Sequence, residues 1–344
     1  MTMLSNLTHE FPGARRYLNT ASVGLPPATA ADELRAAIDA WQEGKVTAPS
    51  YDAYVDEARN LFAELVNVSQ DNVAIGSQVS ALVGMVAAGL SPGSRVLCPQ
   101  EEFTSVIFPF LARDDLNVTF VPLDELATSI TSETDLVAFS LVQSADGRVV
   151  DGKTVADIAR GCGAVTLVDT TQAAGWLPFD AGLYDFTVTG TYKWLMSPRG
   201  SAFMTVRKEV FDLPDLLYPG WYAGEEIWES IYGPPLRLAE QARRFDLSPA
   251  WLAWVGTAAA LRFIREVGVG KIHEHNVTLA NLFRDRLKLA ASDSAIVSLE
   301  LPETTHTEKL QQLSTASRAG RLRVGFHLYN QIEDVELLVE ALVA

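Results

Sequence analysis

The chain has 344 residues, of which 43 are acidic and 27 are basic, so its formal net charge is −16. This charge argues against a nucleic-acid or anionic-membrane partner and favours a soluble cytoplasmic protein. The length is sufficient for about two domains with a large buried core.

Signals for export, metal binding and disulfide bonding are missing from the sequence. Residues 1–6 show no basic stretch followed by an apolar one, so we expect neither a signal peptide nor a transmembrane span. Cys98 and Cys162 are the only cysteines, and both lie beside apolar segments, which predicts buried free thiols. His273 and His275 are two positions apart and would face different sides of a helix, so no metal site is expected.

Apolar segments alternate with helical ones between about residues 70 and 206. The predicted strands cover 72–76, 95–99, 118–122, 136–141, 164–169, 186–189 and 202–206. The predicted helices include 79–90, 105–113 and 154–162. Such alternation is typical of an α/β fold in which helices cover both faces of a mostly parallel sheet. The sequence therefore predicts a seven-stranded sheet of this kind.

The C-terminal part of the chain has a different pattern. Long helices are predicted over 249–267 and 269–291, strands over 296–301 and 322–327, and a closing helix over 333–343. These elements indicate a smaller α+β domain, which the first residues of the chain join. The predicted division is a large domain of residues 27–245 and a small domain of residues 1–26 and 246–344.

A tight turn follows the first predicted strand of the sheet. Gly76 permits the turn, and the free N–H groups of Ser77, Gln78 and Val79 would begin an amphipathic helix. The positive end of a helix can hold a phosphate group. Ser77 is equally well explained as an ordinary helix N-cap.

Lys193 differs from the other six lysines in its surroundings. Val-Thr-Gly-Thr-Tyr precedes it and Trp-Leu-Met follows it, whereas the others lie in polar or helix-surface contexts. Partial desolvation lowers the pKa of a lysine amine and makes it a nucleophile or a base. The alternative is a solvated surface lysine, which is the commoner situation for a single lysine after a strand.

Asp169 ends an apolar strand, at a position where α/β enzymes place ligand-binding groups. A strand-end aspartate also often begins a turn or caps a helix. Three residues further on, Gln172 can donate a hydrogen bond to a phenolate oxygen. Together, Lys193 and Asp169 suggest a Schiff-base lysine and a carboxylate that holds the pyridine nitrogen of pyridoxal 5′-phosphate.

Two further segments carry side chains suited to such a ligand. Phe103 can stack on a planar ring, although it is equally suited to the core beside Phe108 and Phe110. Arg321 and Arg323 alternate on one strand, so one of them can bind a carboxylate bidentately. For an isolated arginine, a surface role is the commoner explanation.

At these residues the chain resembles the class V aminotransferase family of fold-type I pyridoxal-phosphate enzymes, which includes cysteine desulfurases, isopenicillin-N-epimerase-like proteins and C–S lyases. The resemblance covers nearly the whole chain. It is carried by Tyr17-Leu18-Asn19-Thr20-Ala21-Ser22, Val168-Asp169-Thr170-Thr171-Gln172, Tyr192-Lys193-Trp194-Leu195 with Pro198-Arg199-Gly200, and Arg323-Val324-Gly325-Phe326-His327-Leu328-Tyr329-Asn330.

The resemblance implies that Lys193 forms the internal aldimine and acts as the catalytic residue. It implies an amino-acid substrate held by Asn19 and Arg323, and a site completed across a homodimer. The family usually has Asn at Ser144 and often Ser at Gly190, so Thr191 is assigned to the phosphate in this chain. The implied cofactor-binding residues are Ser77, Gln78, Val79, Phe103, Ser144, Asp169, Gln172, Thr191, Tyr192 and Lys193.

The reaction type rests on finer features. Cysteine desulfurases of this family carry a reactive cysteine just before the terminal arginine strand, but residues 314–320 contain none. Residues 220–226 and 242–251 resemble the branch near the ergothioneine-pathway C–S lyase. We therefore expect C–S β-elimination, with an aminotransferase or an epimerase as the alternative. A non-catalytic amino-acid-binding descendant is a second alternative, and a nicotinamide dehydrogenase is disfavoured because no Gly-x-Gly-x-x-Gly follows the first strand.

Overall fold

Seven short apolar segments form the central sheet of the protein. The computed structural model describes residues 4–301 and 308–343. Within these residues the strands are β1 (Val73–Gly76), β2 (Arg95–Pro99), β3 (Asn117–Val121), β4 (Leu136–Ser140), β5 (Val165–Asp169), β6 (Phe186–Gly190) and β7 (Ala202–Val206). The bounds of each strand lie within one residue of those predicted. The predicted α/β fold is confirmed.

The order of the strands in the sheet is β1-β7-β6-β5-β4-β2-β3. β7 pairs antiparallel with both β1 and β6, whereas β6, β5, β4, β2 and β3 pair in parallel. The carboxyl ends of six strands therefore meet at one edge of the sheet, where α/β proteins bind ligands. Because β7 runs the other way, its amino end lies at that same edge.

The helices are α1 (Ala28–Gln42), α2 (Asp52–Leu65), α3 (Val79–Gly89), α4 (Thr104–Leu111), α5 (Gly152–Cys162), α6 (Trp251–Val267), α7 (Val269–Arg286), α8 (Glu308–Gln311) and α9 (Ile332–Val343). Successive residues of β4 point to opposite faces of the sheet. Val137 and Phe139 join the core beneath α2, α5 and α6, while Leu136 and Ala138 join the core beneath α3 and α4. The sheet is thus buried on both faces, as its continuous apolar strands require.

A second sheet of three antiparallel strands lies in the C-terminal part, in the order β8-β10-β9, formed by β8 (Ile296–Leu299), β9 (Ala316–Arg318) and β10 (Arg321–Gly325). It packs with α7 and α9 on a separate apolar core, and Leu18 from the N-terminal segment joins that core. The domain boundaries at 26/27 and 245/246 stay a prediction.

Several details of this region differ from the sequence prediction, among them the short helix α8, which was not predicted. Strand β9 was not predicted, because it is short and partly exposed and its sequence shows no apolar alternation. α7 was predicted to continue to residue 291, but it ends at Arg286. Lys288 takes a left-handed backbone conformation with φ of 57°, which ends the helix.

A buried ion pair links α2 and β1 to the segment before α6. Arg59 donates to Asp246 through two nitrogens, at 3.2 and 2.6 Å, and to the carbonyl of Val73 at 2.5 Å. Asp246 also accepts from the N–H of Ile75 at 2.8 Å. Both oxygens of the buried carboxylate thus depend on these partners.

Replacing Arg59 with methionine is expected to lower the free energy of unfolding by about 3–5 kcal/mol, because Asp246 remains as a buried charge without its partner. Guanidinium unfolding followed by tryptophan fluorescence measures the change. Arg262→Met is the control, since Arg262 pairs with Glu33 and Glu57 at the half-exposed surface. We expect a loss of about 1 kcal/mol or less there. Equal losses in the two variants would contradict this account.

No helix in the described ranges is both long and apolar enough to cross a membrane.

Candidate active site

Lys193 lies in the loop between β6 and β7, at the ligand-binding edge of the sheet. It is buried, with 6% of its surface exposed, so the solvated-surface alternative is wrong. Its Nζ lies 5.2 Å from the ring centroid of Phe103 and 5.7 Å from that of Tyr192. Burial lowers the pKa of Lys193 to about 8, and nearby guanidinium groups act in the same direction, while Asp169 opposes them.

Asp169 is the last residue of β5 and is also buried. Its Oδ1 accepts a hydrogen bond from the N–H of Thr171 at 2.7 Å, so the predicted turn role is present. The Thr171 side chain also hydrogen-bonds to this carboxylate. Burial raises the pKa of Asp169 to about 6, and the Thr171 hydrogen bonds and Lys193 oppose the rise. The pKa lies below neutral pH, which favours the charged carboxylate, and the carboxylate faces the cavity described next.

A small cavity of about 50 Å³ brings most of the predicted cofactor residues together. The predicted residues that line it are Ser77, Gln78, Val79, Phe103, Ser144, Asp169, Gln172, Tyr192 and Lys193. The N-cap of α3 is Gln78, with no side-chain cap, so the assignment of Ser77 as N-cap is wrong. The first N–H groups of an eleven-residue helix thus face this cavity uncapped.

Thr191 is not brought into the lining of this cavity. It is fully buried, and its hydroxyl forms hydrogen bonds with the Oγ and the carbonyl of Ser201. Ser201 itself lines the cavity, just before the amino end of β7. Ser201 was not predicted, because ligand-binding groups were expected only at the carboxyl ends of strands. The reversed direction of β7 is the feature that places it there.

A larger cavity of about 710 Å³ adjoins the small one at Phe103, Ser144, Tyr192 and Lys193. Residues 21–24 of the N-terminal segment form one wall. Gly24 approaches the lysine loop so closely that a Cβ atom there would lie 1.9 Å from the Lys193 carbonyl oxygen. Asn19, a predicted substrate residue, does not line this cavity, and its buried Oδ1 has no hydrogen-bond partner.

Arg323 enters the large cavity from β10 with only 1% of its surface exposed. Its Nη1 donates to the carbonyl of Ser144 at 2.5 Å and to its Oγ at 3.1 Å. Its Nη2 donates to Ser22 Oγ at 2.8 Å, and its Nε has no partner. The guanidinium is therefore held in place, and it forms no salt bridge with a described carboxylate.

The amide of Gln172 connects this arginine to the lysine loop. Its Nε2 donates to Ser144 Oγ at 3.1 Å and to the carbonyl of Ala21 at 3.0 Å, and its Oε1 accepts from Trp194 Nε1 at 2.7 Å. Both amide hydrogens are thus in use, so the predicted bond to a ring oxygen requires Gln172 to give up one of them. His327 Nε2 in turn lies 3.0 Å from the carbonyl of Trp194.

Neither cysteine lines a cavity. Cys98 is fully buried in the core beneath α3 and α4, and burial raises the pKa of its thiol. Cys162 ends α5 and is half-buried. Both are free thiols, as predicted, but only Cys98 is buried as predicted, and neither lines either cavity at Lys193.

The depressed pKa of Lys193 predicts a pH dependence for uptake of pyridoxal phosphate by the apoprotein. Only the neutral amine attacks an aldehyde, so the uptake rate should rise about tenfold per pH unit below pH 8 and level off above it. An ordinary lysine would show a rise that continues to about pH 10. Stopped-flow absorbance between pH 6 and 10 measures the profile, and a midpoint near 10 would contradict the buried setting.

The chain also resembles known proteins over most of its length. The family model described as Aminotransferase class-V matches residues 42–306. An uncharacterized aminotransferase of Bacillus subtilis, YcbU, is 30% identical over 311 residues, which span 83% of this chain and 82% of that protein. A kynureninase of Deinococcus radiodurans is 27% identical over 327 residues, which span 89% of this chain and 78% of its own.

Solved structures agree with the observed fold. A complex of the cystine C-S lyase C-DES with its reaction product, cysteine persulfide, has a TM-score of 0.86 at 21% identity. The match covers 96% of this chain and 98% of that one. A second C-DES structure, with glycine covalently linked to its PLP cofactor, also has a TM-score of 0.86, at 22% identity. At these identities the likeness concerns the fold alone.

Proposed function

Because this chain belongs to the class V aminotransferase family, and is therefore a pyridoxal-phosphate-dependent enzyme that acts on amino acids, we propose that it is a C–S lyase. Its reaction would break the bond between Cβ and sulfur in an S-substituted cysteine. The observation that carries this proposal is a buried lysine beside a fixed guanidinium, in a pair of cavities that no cysteine of the chain lines.

The residues of the small cavity fit the cofactor. Asp169 offers a buried carboxylate to a protonated ring nitrogen, and the uncapped start of α3 offers N–H groups to a phosphate. Lys193 lines the same cavity, and its lowered pKa suits attack on an aldehyde. When bound, pyridoxal phosphate supplies an electron sink for charge that develops on the Cα of the substrate.

The remaining chemistry belongs to residues of the chain. Arg323 is positioned to bind the α-carboxylate of the substrate, since its guanidinium faces the large cavity beside Ser22 and Ser144. Lys193 would take the proton from Cα, because it is the buried amine with a pKa near neutrality. Its low exposure and its contacts with the rings of Phe103 and Tyr192 favour the neutral amine that a base requires.

The atoms balance for a β-elimination. The proton of Cα passes to the Nζ of Lys193, and the electron pair of that C–H bond forms a double bond to Cβ. The Cβ–S bond breaks, and sulfur leaves as a thiolate with its electron pair. The released enamine reacts with water to give pyruvate and ammonia, and the thiolate takes up a proton.

Two related outcomes are less well supported by the site. Transfer of sulfur to a protein thiol needs a cysteine near Lys193, but Cys98 and Cys162 lie away from both cavities. Two-base epimerisation needs a second base opposite the lysine, but the described lining of the large cavity includes no histidine or carboxylate. The likeness to the ergothioneine branch, the homodimer and the cytoplasmic location stay predictions.

The test is product analysis with the purified holoenzyme. S-substituted cysteines should yield pyruvate, ammonia and the thiol in equal amounts. A new amino acid, together with pyridoxamine phosphate, formed from alanine and an oxo acid would show an aminotransferase instead. Amino acids that bind without any turnover would show a non-catalytic binding protein. Either of these results without pyruvate formation from S-substituted cysteines would sink the lyase proposal.

A further inference from the structure

The large cavity carries positive charge in a protein that is strongly acidic overall. Four arginines line it together with Lys193, and no aspartate or glutamate is found in its described lining. The chain as a whole has a net charge of −16. The arginines are Arg35, Arg199, Arg318 and Arg323. Such a local reversal of sign favours anionic ligands.

Two of these guanidinium groups share one oxygen. Ser22 Oγ accepts from Arg323 Nη2 at 2.8 Å and from Arg318 Nη2 at 3.2 Å. Neither arginine forms a salt bridge with a described residue. Burial lowers the pKa of Arg323, and the nearby charge of Arg318 lowers it further. Two like charges against one hydroxyl are unfavourable in the absence of an anion. The arrangement therefore gains stability when an anion binds.

The two groups lie at different depths. Arg323 is buried, whereas Arg318 is on the exposed edge strand β9. Arg318 Nη1 donates to the carbonyl of Ser317 at 2.7 Å, and its Nε–H has no acceptor among the described residues. The guanidinium of Arg323 is assigned to the α-carboxylate of the substrate. This carboxylate therefore does not neutralise the charge of Arg318.

Arg35 provides the contrast within the same cavity. Its Nη1 lies 2.6 Å from Asp32 Oδ1, so its charge is already balanced by the neighbouring turn of α1. An exposed pair of this kind contributes little to ligand binding. Arg318 has no such partner in the described part of the chain, and it faces the cavity beside Ser22.

We propose that the substrate is a dicarboxylic amino acid, whose side chain ends in a second carboxylate that binds Arg318. If the chain is a C–S lyase, as proposed above, the substrate class is an S-(carboxyalkyl)cysteine. The volume of the cavity, about 710 Å³, accommodates such an extended side chain between the lysine and the mouth.

The first test compares S-carboxymethylcysteine with S-ethylcysteine, which have the same chain length and differ in the second carboxylate. The holoenzyme should show a kcat/KM roughly tenfold or more higher for the carboxylated compound, because a charge-assisted hydrogen bond is at stake. In Arg318→Gln the ratio should fall toward one, mainly through KM. Arg35→Gln is the matched control, and there the ratio should persist.

Equal kcat/KM values for the two substrates in the unmodified enzyme would overturn the proposal. A ratio that persists in Arg318→Gln, or that Arg35→Gln abolishes equally, would overturn it too. Arg318 is exposed, so the variant is expected to fold, and its thermal unfolding and cofactor absorbance verify this.

A second measurement separates this proposal from the lyase reaction. If neither cysteine derivative yields pyruvate, the binding of L-2-aminoadipate and of L-norleucine is followed by the change in cofactor absorbance. Preference for aminoadipate that Arg318→Gln removes supports a dicarboxylic substrate, even though the lyase proposal fails. Equal affinity for the two amino acids contradicts it.

Discussion

Lys193→Ala should abolish turnover and the covalent attachment of pyridoxal phosphate. The loss in kcat should be about 10²–10⁴-fold or more, because one amine serves as both nucleophile and general base. No second amine is available, since Lys193 is the only lysine among the described residues that line either cavity. Borohydride reduction of the unmodified holoenzyme followed by peptide mass analysis should find the pyridoxyl group on residue 193.

Lys153→Ala is the control for this variant. Lys153 lies on the surface and pairs with Asp157 at 2.6 Å, far from the cavities. Its removal should change neither the visible absorbance nor kcat. Undiminished turnover in Lys193→Ala, or a pyridoxyl group found on another lysine, would show that the cofactor is bound elsewhere.

Asp169→Asn should lower kcat by on the order of 10²–10³-fold, as does loss of a fixed electrostatic partner in other active sites. Asparagine keeps an oxygen for the N–H of Thr171, so the turn after β5 is preserved. The variant removes only the negative charge at the floor of the small cavity. In the proposed assignment, that charge would keep the ring nitrogen of the cofactor protonated. Steady-state kinetics at saturating cofactor, with parallel measurement of cofactor affinity, gives both effects.

Asp185→Asn is the matched control for Asp169→Asn. Asp185 is another buried aspartate, just before β6, but it pairs with Arg207 at 2.7 Å and accepts from Thr166, and it lines neither cavity. Its replacement should cost stability and leave the turnover of folded enzyme intact. If both variants lose activity to the same degree, Asp169 acts through the stability of the sheet and has no separate electrostatic role.

The sheet was predictable from sequence because its strands are buried on both faces. Uninterrupted apolar runs such as residues 136–140 are distinctive, and Asp169 ends such a run. Lys193 was recognisable for a similar reason, since its apolar neighbours indicated burial before any contact was known. The edge strand β9 lacked this signal because it is half-exposed and short.

The missed residues of the site depend on contacts between distant parts of the chain. Ser201 reaches the cofactor cavity because β7 is antiparallel, and strand direction leaves no mark on local composition. Ser22 and Arg318 meet across nearly 300 positions of sequence. Conversely, Thr191 was assigned to the phosphate, but the structure turns its hydroxyl toward Ser201. Local pattern therefore identified the cofactor end of the site better than the substrate end.

The two ends of the chain meet behind the substrate cavity. Asn19 forms a β-bridge with Gly325, and the N–H of Gly325 donates to the carbonyl of Leu18 at 2.8 Å. During synthesis on a ribosome, all seven strands of the main sheet are complete once residue 206 has emerged. The wall formed by residues 21–24 obtains its partner only more than 100 residues later. All the residues that line the small cavity are thus synthesised before the strand that pairs with the wall of the large one.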